Sequence, residues 1–219
     1  MTPPRTSAID SAPRTAPKPR RTQTERRAES DQRILLAAMK LIARDGAARS
    51  TLADIGVEAG YSRGLPSERF GTKLELLEAL VDSMDGWFAA RAQVVLEGKR
   101  GLDAVLARAA AHLDGAIRSP VATMALHGLY VESLNVIPEL RPRMSALGEG
   151  YRQAFIAHLR EGQRLGQVRR DINCSHQASI IIGALRGLTH QALVNGTTTN
   201  LRAAKPALLK TLRESLRTR

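Results

Sequence analysis

The sequence contains very little of what several protein classes require. Its one cysteine, Cys174, excludes a disulfide within the chain and suits a reducing compartment. Aromatic residues make up only 3% of the chain, and no run of alternating Val, Ile, Thr or Tyr predicts a β-sheet. The apolar stretch at residues 180–185 is far shorter than the ~20 residues of a membrane span, and the N-terminus has no apolar signal segment. We therefore expect a cytoplasmic protein without a membrane partner.

Positive charge, in contrast, is abundant. Lys and Arg total 33 against 21 Asp and Glu, which gives a formal net charge of +12. Such an excess favours a polyanionic partner such as nucleic acid, although an Arg-rich composition alone would imply no partner. Residues 1–21 are rich in Pro, Ser, Thr, Ala and Arg and are predicted to form a disordered basic tail. This tail either follows DNA phosphates or is simply solvated.

From residue 22 onward, apolar residues recur at the spacing of amphipathic helices. Hydroxyl caps, glycines and prolines divide the chain into about nine such helices. Three of them belong to a small domain at residues 22–71, and six form a bundle at residues 72–219. The predicted fold is therefore all-α, and Pro206 is expected in the first turn of the last helix.

Two short helices within the small domain meet at Gly60, which has the backbone freedom that a tight turn requires. The first follows Thr51, and the second is predicted at residues 63–70, capped by Ser62. A helix-turn-helix lays its second helix in the major groove of DNA. Arg63 stands at the leading end of this helix, where it can make a bidentate contact to guanine.

Small and polar residues around this helix form the candidate DNA-binding set. Gly64 leaves room for close backbone approach, and Ser67 and Arg69 are placed to reach phosphates or bases. Thr51 and Lys73 each stand at a helix start that suits a phosphate contact. Taken singly, each polar residue is equally consistent with a solvated helix surface. The full set comprises Thr51, Ser62, Arg63, Gly64, Leu65, Ser67, Arg69 and Lys73.

Residues 33–77 resemble the DNA-binding domain of the TetR family of repressors. The matching residues are Ile34, Leu35, Ala38, Leu41, Gly46, Thr51, Ile55, Ala59, Gly60, Ser62, Arg63, Gly64, Phe70, Lys73, Leu76 and Leu77. The resemblance implies a homodimeric repressor that binds a palindromic DNA operator and leaves it when a small-molecule effector binds the larger domain. By this resemblance, the fold is a three-helix helix-turn-helix domain followed by a six-helix ligand-binding and dimerisation bundle.

The sequence departs from the family pattern at four positions. The family usually has tyrosine where Ser67 stands, often histidine where Arg69 stands, and alanine where Gly56 stands. Pro66 within the recognition helix is unusual, and it removes one backbone donor. These departures bear on which operator sequence is recognised, and they leave the binding mode as expected.

Helical bundles hold small molecules between facing helices, and the candidate effector pocket is assigned accordingly. Its predicted lining residues are Trp87, Phe88, Met124, His127, Tyr130, Tyr151 and Phe155. Trp87, His127 and Tyr130 are favoured because each combines an apolar surface with a polar group. The alternative is that these residues are ordinary core.

The resemblance places the dimer interface on the last two helices. Ser179, Gly183 and Gly187 recur at i, i+4 and i+8, which leaves a groove where another helix can approach closely. That helix belongs either to a second subunit or to the same chain.

The sequence gives no indication of catalysis. Its five histidines form no H-E-x-x-H pair, and neither a metal nor a cofactor is predicted. The G-x-S-x-G string at residues 60–64 follows a helical stripe, whereas a nucleophile elbow follows a strand. One alternative to a regulator is a basic helical ligand- or partner-binding protein without sequence-specific DNA binding. Another is an enzyme built on the bundle, which would depend on Ser62.

Overall fold

The computed structural model describes residues 22–196 and 199–218, and its regular secondary structure confirms the all-α prediction. The helices in these residues are α1 (Gln23–Asp45), α2 (Leu52–Glu58), α3 (Leu65–Phe70), α4 (Lys73–Leu96), α5 (Gly101–Arg118), α6 (Pro120–Asn135), α7 (Arg141–Arg164), α8 (Cys174–Val194) and α9 (Thr199–Leu216). A short 3-10 turn, Pro138–Leu140, precedes α7. The predicted basic tail at residues 1–21 lies outside the described residues. None of the described helices combines the length and the apolar character needed to cross a membrane.

Hydroxyl side chains begin three of the first four helices at the positions that the sequence predicts. Thr22 and Thr72 each form a capping box, with Glu25 and Glu75 respectively. Thr51 caps α2 by accepting a hydrogen bond from a backbone N–H of its first turn. Each cap satisfies a backbone donor that has no partner within the helix, so these starts depend on local sequence alone.

The predicted start of the recognition helix is wrong by two residues. Gly64 occupies the N-cap of α3, so Ser62 and Arg63 stand in the turn before the helix, and Ser62 does not cap it. The Leu65 N–H donates to the Ser62 carbonyl at 3.2 Å and closes that turn. Pro66 then falls in the first helical turn, where its missing N–H has no intrahelical partner to lose.

The predicted place of Pro206 in the first turn of the last helix is also wrong. Pro206 lies in the interior of α9, which begins at Thr199. The extra length buries Leu201 against the bundle. Burial of an apolar side chain contributes about 1.5–3 kcal/mol, which offsets much of the cost of an interior proline.

Two clusters of buried side chains hold the described residues together. One lies among α5, α7, α8 and α9, and its largest fully buried members are Leu113, Phe155, Leu159, Ile181 and Leu185. The other packs α1 and α2 against α4, α6 and the start of α7, through Ile34, Ile55, Leu76, Leu77, Leu129, Leu140 and Met144. The core of the first helices therefore continues into α4 and α6 and does not close near residue 71.

A carboxylate on α6 joins this second cluster to the loop after α1. Glu132 accepts hydrogen bonds from the backbone N–H groups of Ala47 at 2.9 Å and Ala48 at 2.7 Å. The Lys73 ammonium donates to the Ala48 carbonyl at 2.8 Å. Burial lowers the pKa of Lys73, and the charge of Glu132 opposes that shift. The start of α4 and the last turn of α6 thus grip the same short loop.

Replacing Glu132 tests how much this grip stabilises the junction. We expect Glu132→Ala to lower the free energy of unfolding by about 1–3 kcal/mol, because two backbone donors lose a charged acceptor. Glu132→Gln should lose less, because its amide oxygen still accepts one of the two bonds. Urea denaturation measures both effects, with Glu139→Ala as the control at an exposed carboxylate. Equal stability of the Glu132→Ala and Glu139→Ala variants would show that the grip contributes nothing.

Candidate DNA-binding surface and bundle interior

The helix-turn-helix is formed by α2, a turn at Gly60 and α3. Gly60 has a φ of 77°, a left-handed conformation that residues with a side chain rarely adopt. The N–H of Gly60 donates to the Val57 carbonyl at 3.0 Å, and the N–H of Tyr61 donates to the Gly56 carbonyl at 2.9 Å. The G-x-S-x-G string therefore stands in a turn after a helix, with no strand before it. This geometry does not form a nucleophile elbow.

Gly56 of α2 lies directly against the entry to α3. A Cβ added at Gly56 would lie 2.5 Å from the Ser62 carbonyl oxygen, 3.1 Å from the Pro66 ring and 3.3 Å from the Arg63 Cα. Pro66 is itself buried in this contact. Two of the departures from the family pattern, glycine at 56 and proline at 66, thus pack against each other.

The start of α3 presents an exposed surface. Ser62, Arg63, Gly64 and Ser67 are all exposed there, and Leu65 is half-buried. Among the described residues, no ion pair engages the Arg63 guanidinium. The structure therefore brings most of the predicted DNA-binding set together on one face.

Arg69, in contrast, points back into the small domain. Its Nε and Nη2 donate to the two carboxylate oxygens of Asp31 on α1, at 2.8 and 2.6 Å, and Nη2 also donates to the Arg27 carbonyl at 3.1 Å. Only 11% of the Arg69 side chain is exposed. A bidentate pair of this kind fixes orientation as well as distance, so Arg69 ties α3 to α1.

The other two predicted phosphate contacts, Thr51 and Lys73, are also engaged within the protein. The Thr51 hydroxyl accepts from the Asp54 N–H at 3.1 Å and donates to the Asp54 carboxylate at 2.5 Å. Lys73 holds the Ala48 carbonyl, as described above. Both residues remain beside the helix-turn-helix, with their side chains used to fix helix starts.

The predicted effector-binding residues do not lie in one place. Trp87 is 41% exposed and packs edge-on against Phe88, with ring centroids 4.9 Å apart. Met124 is 39% exposed and lines two open grooves, one of about 390 Å³ between α1 and α6 and one of about 490 Å³ that α8 also borders. His127 directs its Nδ1 at the Thr123 carbonyl of its own helix, at 3.0 Å. Trp87 and Met124 are therefore exposed, whereas Phe88 and His127 are half-buried.

The remaining three predicted residues do lie inside the bundle. Tyr151 and Phe155 of α7 pack edge-on at 5.3 Å, and Phe155 is fully buried. The Tyr151 hydroxyl lies 3.1 Å from Nδ1 of His112 on α5. Burial lowers the pKa of His112 to about 4, so the ring is neutral near pH 7, and burial raises the pKa of Tyr151.

Two arginines that the sequence analysis did not single out accompany these tyrosines. The Arg108 guanidinium of α5 lies 6.0 Å from the centre of the Tyr151 ring. The Arg186 guanidinium of α8 lies 4.4 Å from the centre of the Tyr130 ring, and its Nη2 donates to the Tyr130 hydroxyl at 2.9 Å. Arginine within an Ala- and Leu-rich helix gives no local signal of such a role, because the partner lies on another helix.

The predicted dimer residues lie on the outer face of α8. Ser179, Gly183 and Gly187 are exposed, and Ile180 beside them is 62% exposed. A Cβ added at Gly183 or Gly187 would meet no described atom within 4 Å. Packing among residues 22–196 and 199–218 therefore gives no reason for glycine at these two positions.

Together, the tight helix pair with an exposed basic entry and the helical bundle behind it define a helix-turn-helix DNA-binding protein. Residues 34–80 match the family model described as "Bacterial regulatory proteins, tetR family". The regulator SrpR of Pseudomonas putida is 26% identical over 165 residues, which are 75% of this chain and 76% of SrpR. By sequence, residues 34–80 form a DNA-binding domain of the kind found in TetR-family transcriptional regulators.

Another relative has a higher sequence identity over a shorter aligned length. The regulator CymR of Pseudomonas putida is 45% identical over 60 residues, 27% of this chain and only 30% of CymR. Among solved structures, a TetR transcriptional regulator from Chloroflexus aurantiacus has a TM-score of 0.79 at 24% identity, covering 89% of this chain and 99% of that one. FadR from Bacillus subtilis, solved with stearoyl-CoA, has a TM-score of 0.76 at 20% identity, covering 84% of this chain and 98% of FadR. These structural likenesses show the fold.

Substitution of Gly56 tests the close contact between α2 and α3. We expect Gly56→Ala to destabilise the protein by about 1–3 kcal/mol, because the added methyl would overlap the Ser62 carbonyl and the Pro66 ring. Gly86→Ala is the control, at an exposed site in α4 where a Cβ meets nothing, and it should stabilise the protein by about 0.5–1 kcal/mol.

Thermal unfolding of Gly56→Ala, Pro66→Ala and the double variant gives the coupling between the two positions. Removal of the Pro66 ring should restore part of the loss, because only the contact with the Ser62 carbonyl remains. Strict additivity of the two substitutions would show that positions 56 and 66 are independent.

Proposed function

We propose that this protein is a homodimeric transcriptional repressor that binds a palindromic operator and is released by a small-molecule effector. The observation that carries the proposal is the turn that enters α3, where Arg63 is exposed and unpaired among the described residues, directly before a helix that the Arg69–Asp31 pair holds against α1. A recognition helix needs both properties, because base contacts require a free donor at a well-defined position.

Arg63, Ser62, Gly64, Leu65 and Ser67 form the proposed contact face. Arg63 reads a guanine through O6 and N7, and the small neighbours let the backbone approach the groove. Phosphate contacts supply most of the affinity, which fits the net charge of +12.

In this proposal Arg69 acts on DNA indirectly. Its bidentate pair with Asp31 fixes the angle of α3 against α1. Thr51 and Lys73 fix the starts of α2 and α4 in the same way, and each keeps its place beside the phosphate backbone. Arg63 needs residues that fix the position of α3, because a small error in helix position misplaces a bidentate contact to a base.

Effector release requires a mechanical link between the bundle and α3. The continuous core from α1 into α4 and α6 supplies one, and the Glu132 grip on the loop after α1 supplies a second. A shift of α6 would therefore move α1, and the Arg69–Asp31 pair would carry that movement to α3.

Replacing Arg63 tests the reading role. Arg63→Ala should lose about 1–3 kcal/mol of affinity for DNA from the protein's own promoter region and should relax specificity at one base pair. Mobility shift with scrambled competitor DNA measures both, with Arg118→Ala as the control at an exposed arginine of α5. If Arg63→Ala kept the wild-type affinity and specificity, Arg63 would not be the residue that recognises the base. If the wild type bound no promoter DNA at low salt, the repressor proposal itself would be wrong.

The dimer is tested on the outer face of α8. Gly183→Leu should shift the protein from dimer to monomer in size-exclusion chromatography with light scattering, because the added side chain would separate two closely packed helices. The protomer itself should fold, since a side chain at position 183 meets open space, and circular dichroism checks this. Gly86→Leu is the matched control on α4. An unchanged dimer in the Gly183→Leu variant would place the interface elsewhere.

A further inference from the structure

Arg108 and Arg186 enter the bundle without a carboxylate partner. No ion pair among the described residues includes either guanidinium. Their observed neighbours are tyrosines: Tyr151 beside Arg108, and Tyr130 beside and hydrogen-bonded to Arg186. Arg108 faces the Tyr151 ring of α7, and Nη2 of Arg186 lies 3.5 Å from where a Cβ at Gly148 of α7 would be, about one turn before Tyr151, so the two arginines border a common region between α5, α7 and α8.

An unpaired arginine in a protein interior is unfavourable, and other partly buried arginines of this chain avoid it. Arg69 pairs with Asp31, and Arg143 pairs with Asp82 and Asp85. Nε of Arg108, in contrast, is buried and has no hydrogen-bond partner, and burial lowers the pKa of this side chain. Loss of hydration without a counter-charge destabilises the folded state. A buried guanidinium without a counter-charge is typical of a binding site in which the ligand supplies the negative charge.

Two acids that act on groups of this region already have partners. Asp85, which acts on Tyr130, is paired with Arg143, and Glu161, which acts on His158, is paired with Arg100. The carboxylate that would neutralise Arg108 or Arg186 is therefore not supplied by these side chains.

The other titratable groups in this region are histidines. Burial lowers the pKa of His112, His127 and His158, so near neutral pH these rings are uncharged. Nε2 of His158 and Nε of Arg108 are both buried, and neither atom has a hydrogen-bond partner. The region thus combines two fixed positive charges, neutral hydrogen-bonding groups and the apolar side chains of the bundle core.

We propose that the effector is a small organic anion, whose carboxylate or phosphate group pairs with Arg108 and Arg186 and whose apolar part faces the core of the bundle. This inference rests on the proposed function and adds the chemical class of the effector. Guanidinium groups suit this task because they stay charged when buried and donate two parallel hydrogen bonds to a carboxylate or phosphate.

Binding of matched probes tests the charge preference. The anions octanoate, octyl phosphate and 3-phenylpropanoate are compared by calorimetry with 1-octanol, octylamine and 3-phenylpropanol. We expect at least one anion to bind the wild type tenfold or more tightly than the alcohol with the same skeleton. Octanoate and octyl phosphate distinguish a carboxylate from a phosphate. Equal or tighter binding of the alcohols or the amine, or no binding of any anion, would overturn the proposal.

Variants then locate the site. Arg108→Met and Arg186→Met should each weaken anion binding tenfold or more, whereas Arg118→Met, at an exposed arginine of α5, should leave it unchanged. Without ligand, Arg108→Met should raise the melting temperature by about 2–4 °C, because it removes an uncompensated charge from the interior. A purely structural Arg108 would instead give a lower melting temperature and unchanged selectivity for anions, which would contradict the proposal.

Release of promoter DNA by the probes distinguishes a failure of the proposed effector class from a failure of the proposed repressor function. If the best-binding anion releases DNA from the wild type and not from Arg108→Met, both the repressor and its anionic effector are supported. If only the neutral or cationic probes release DNA, the effector class is wrong and the repressor stands. If anions bind through Arg108 and Arg186 but no promoter DNA is bound, the anion site stands and the repressor proposal fails.

Discussion

The packing of α1 against α4 and α6 is the contact on which the rest of the molecule depends. Ile34, Leu41, Leu76 and Leu129 are almost fully buried within it, so the first helices have no separate core of their own. Close-packed side chains transmit displacement because the interior has little free space. Two polar contacts connect α1 to its neighbours. Asp31, within α1, pairs with Arg69 of α3, and the loop that follows Asp45 at the end of α1 donates two hydrogen bonds to Glu132 of α6. At 1.5 Å per residue, α1 spans about 20 Å between these two contacts. One rigid helix thus connects the bundle to the proposed recognition helix.

The arginines of this chain divide by their partners. Arg69 and Arg143 are paired with carboxylates and hold one helix to another. Arg63 on the surface and Arg108 in the bundle have no such partner among the described residues. An unpaired guanidinium at each place keeps its charge available, for a phosphate or base edge at Arg63 and for an organic anion at Arg108. Among these four arginines, a carboxylate partner distinguishes the two that build the scaffold from the two that we propose bind a partner.

Two unusual residues in the helix-turn-helix explain each other once the structure is known. In the sequence, Gly56 and Pro66 are separate departures from the family pattern, and Pro66 removes one backbone donor from the recognition helix. In the structure Pro66 is in the first turn, where its missing donor matters little, and its ring fills the space beside Gly56. The start of α3 is displaced with it, which moves Ser62 and Arg63 out of the helix into the preceding turn. The exposed end that we propose reads DNA is therefore a turn followed by a short helix.

The sequence alone determined the all-α fold, the starts of α1, α2 and α4, and the helix-turn-helix with its exposed Arg63. These features depend on caps, glycines and apolar spacing within a few residues of one another, so they are visible in a short stretch of chain. Only the tertiary structure decided the partners of long side chains. Arg69 meets Asp31 across 38 residues, Glu132 meets Ala47 across 85, and Arg186 meets Tyr130 across 56. It also showed that the predicted effector residues are scattered and that Arg108 and Arg186 lie among the inner ones. The physical reason is that helix packing, which brings distant side chains together, depends on the fit of whole helix faces, and no local pattern encodes it.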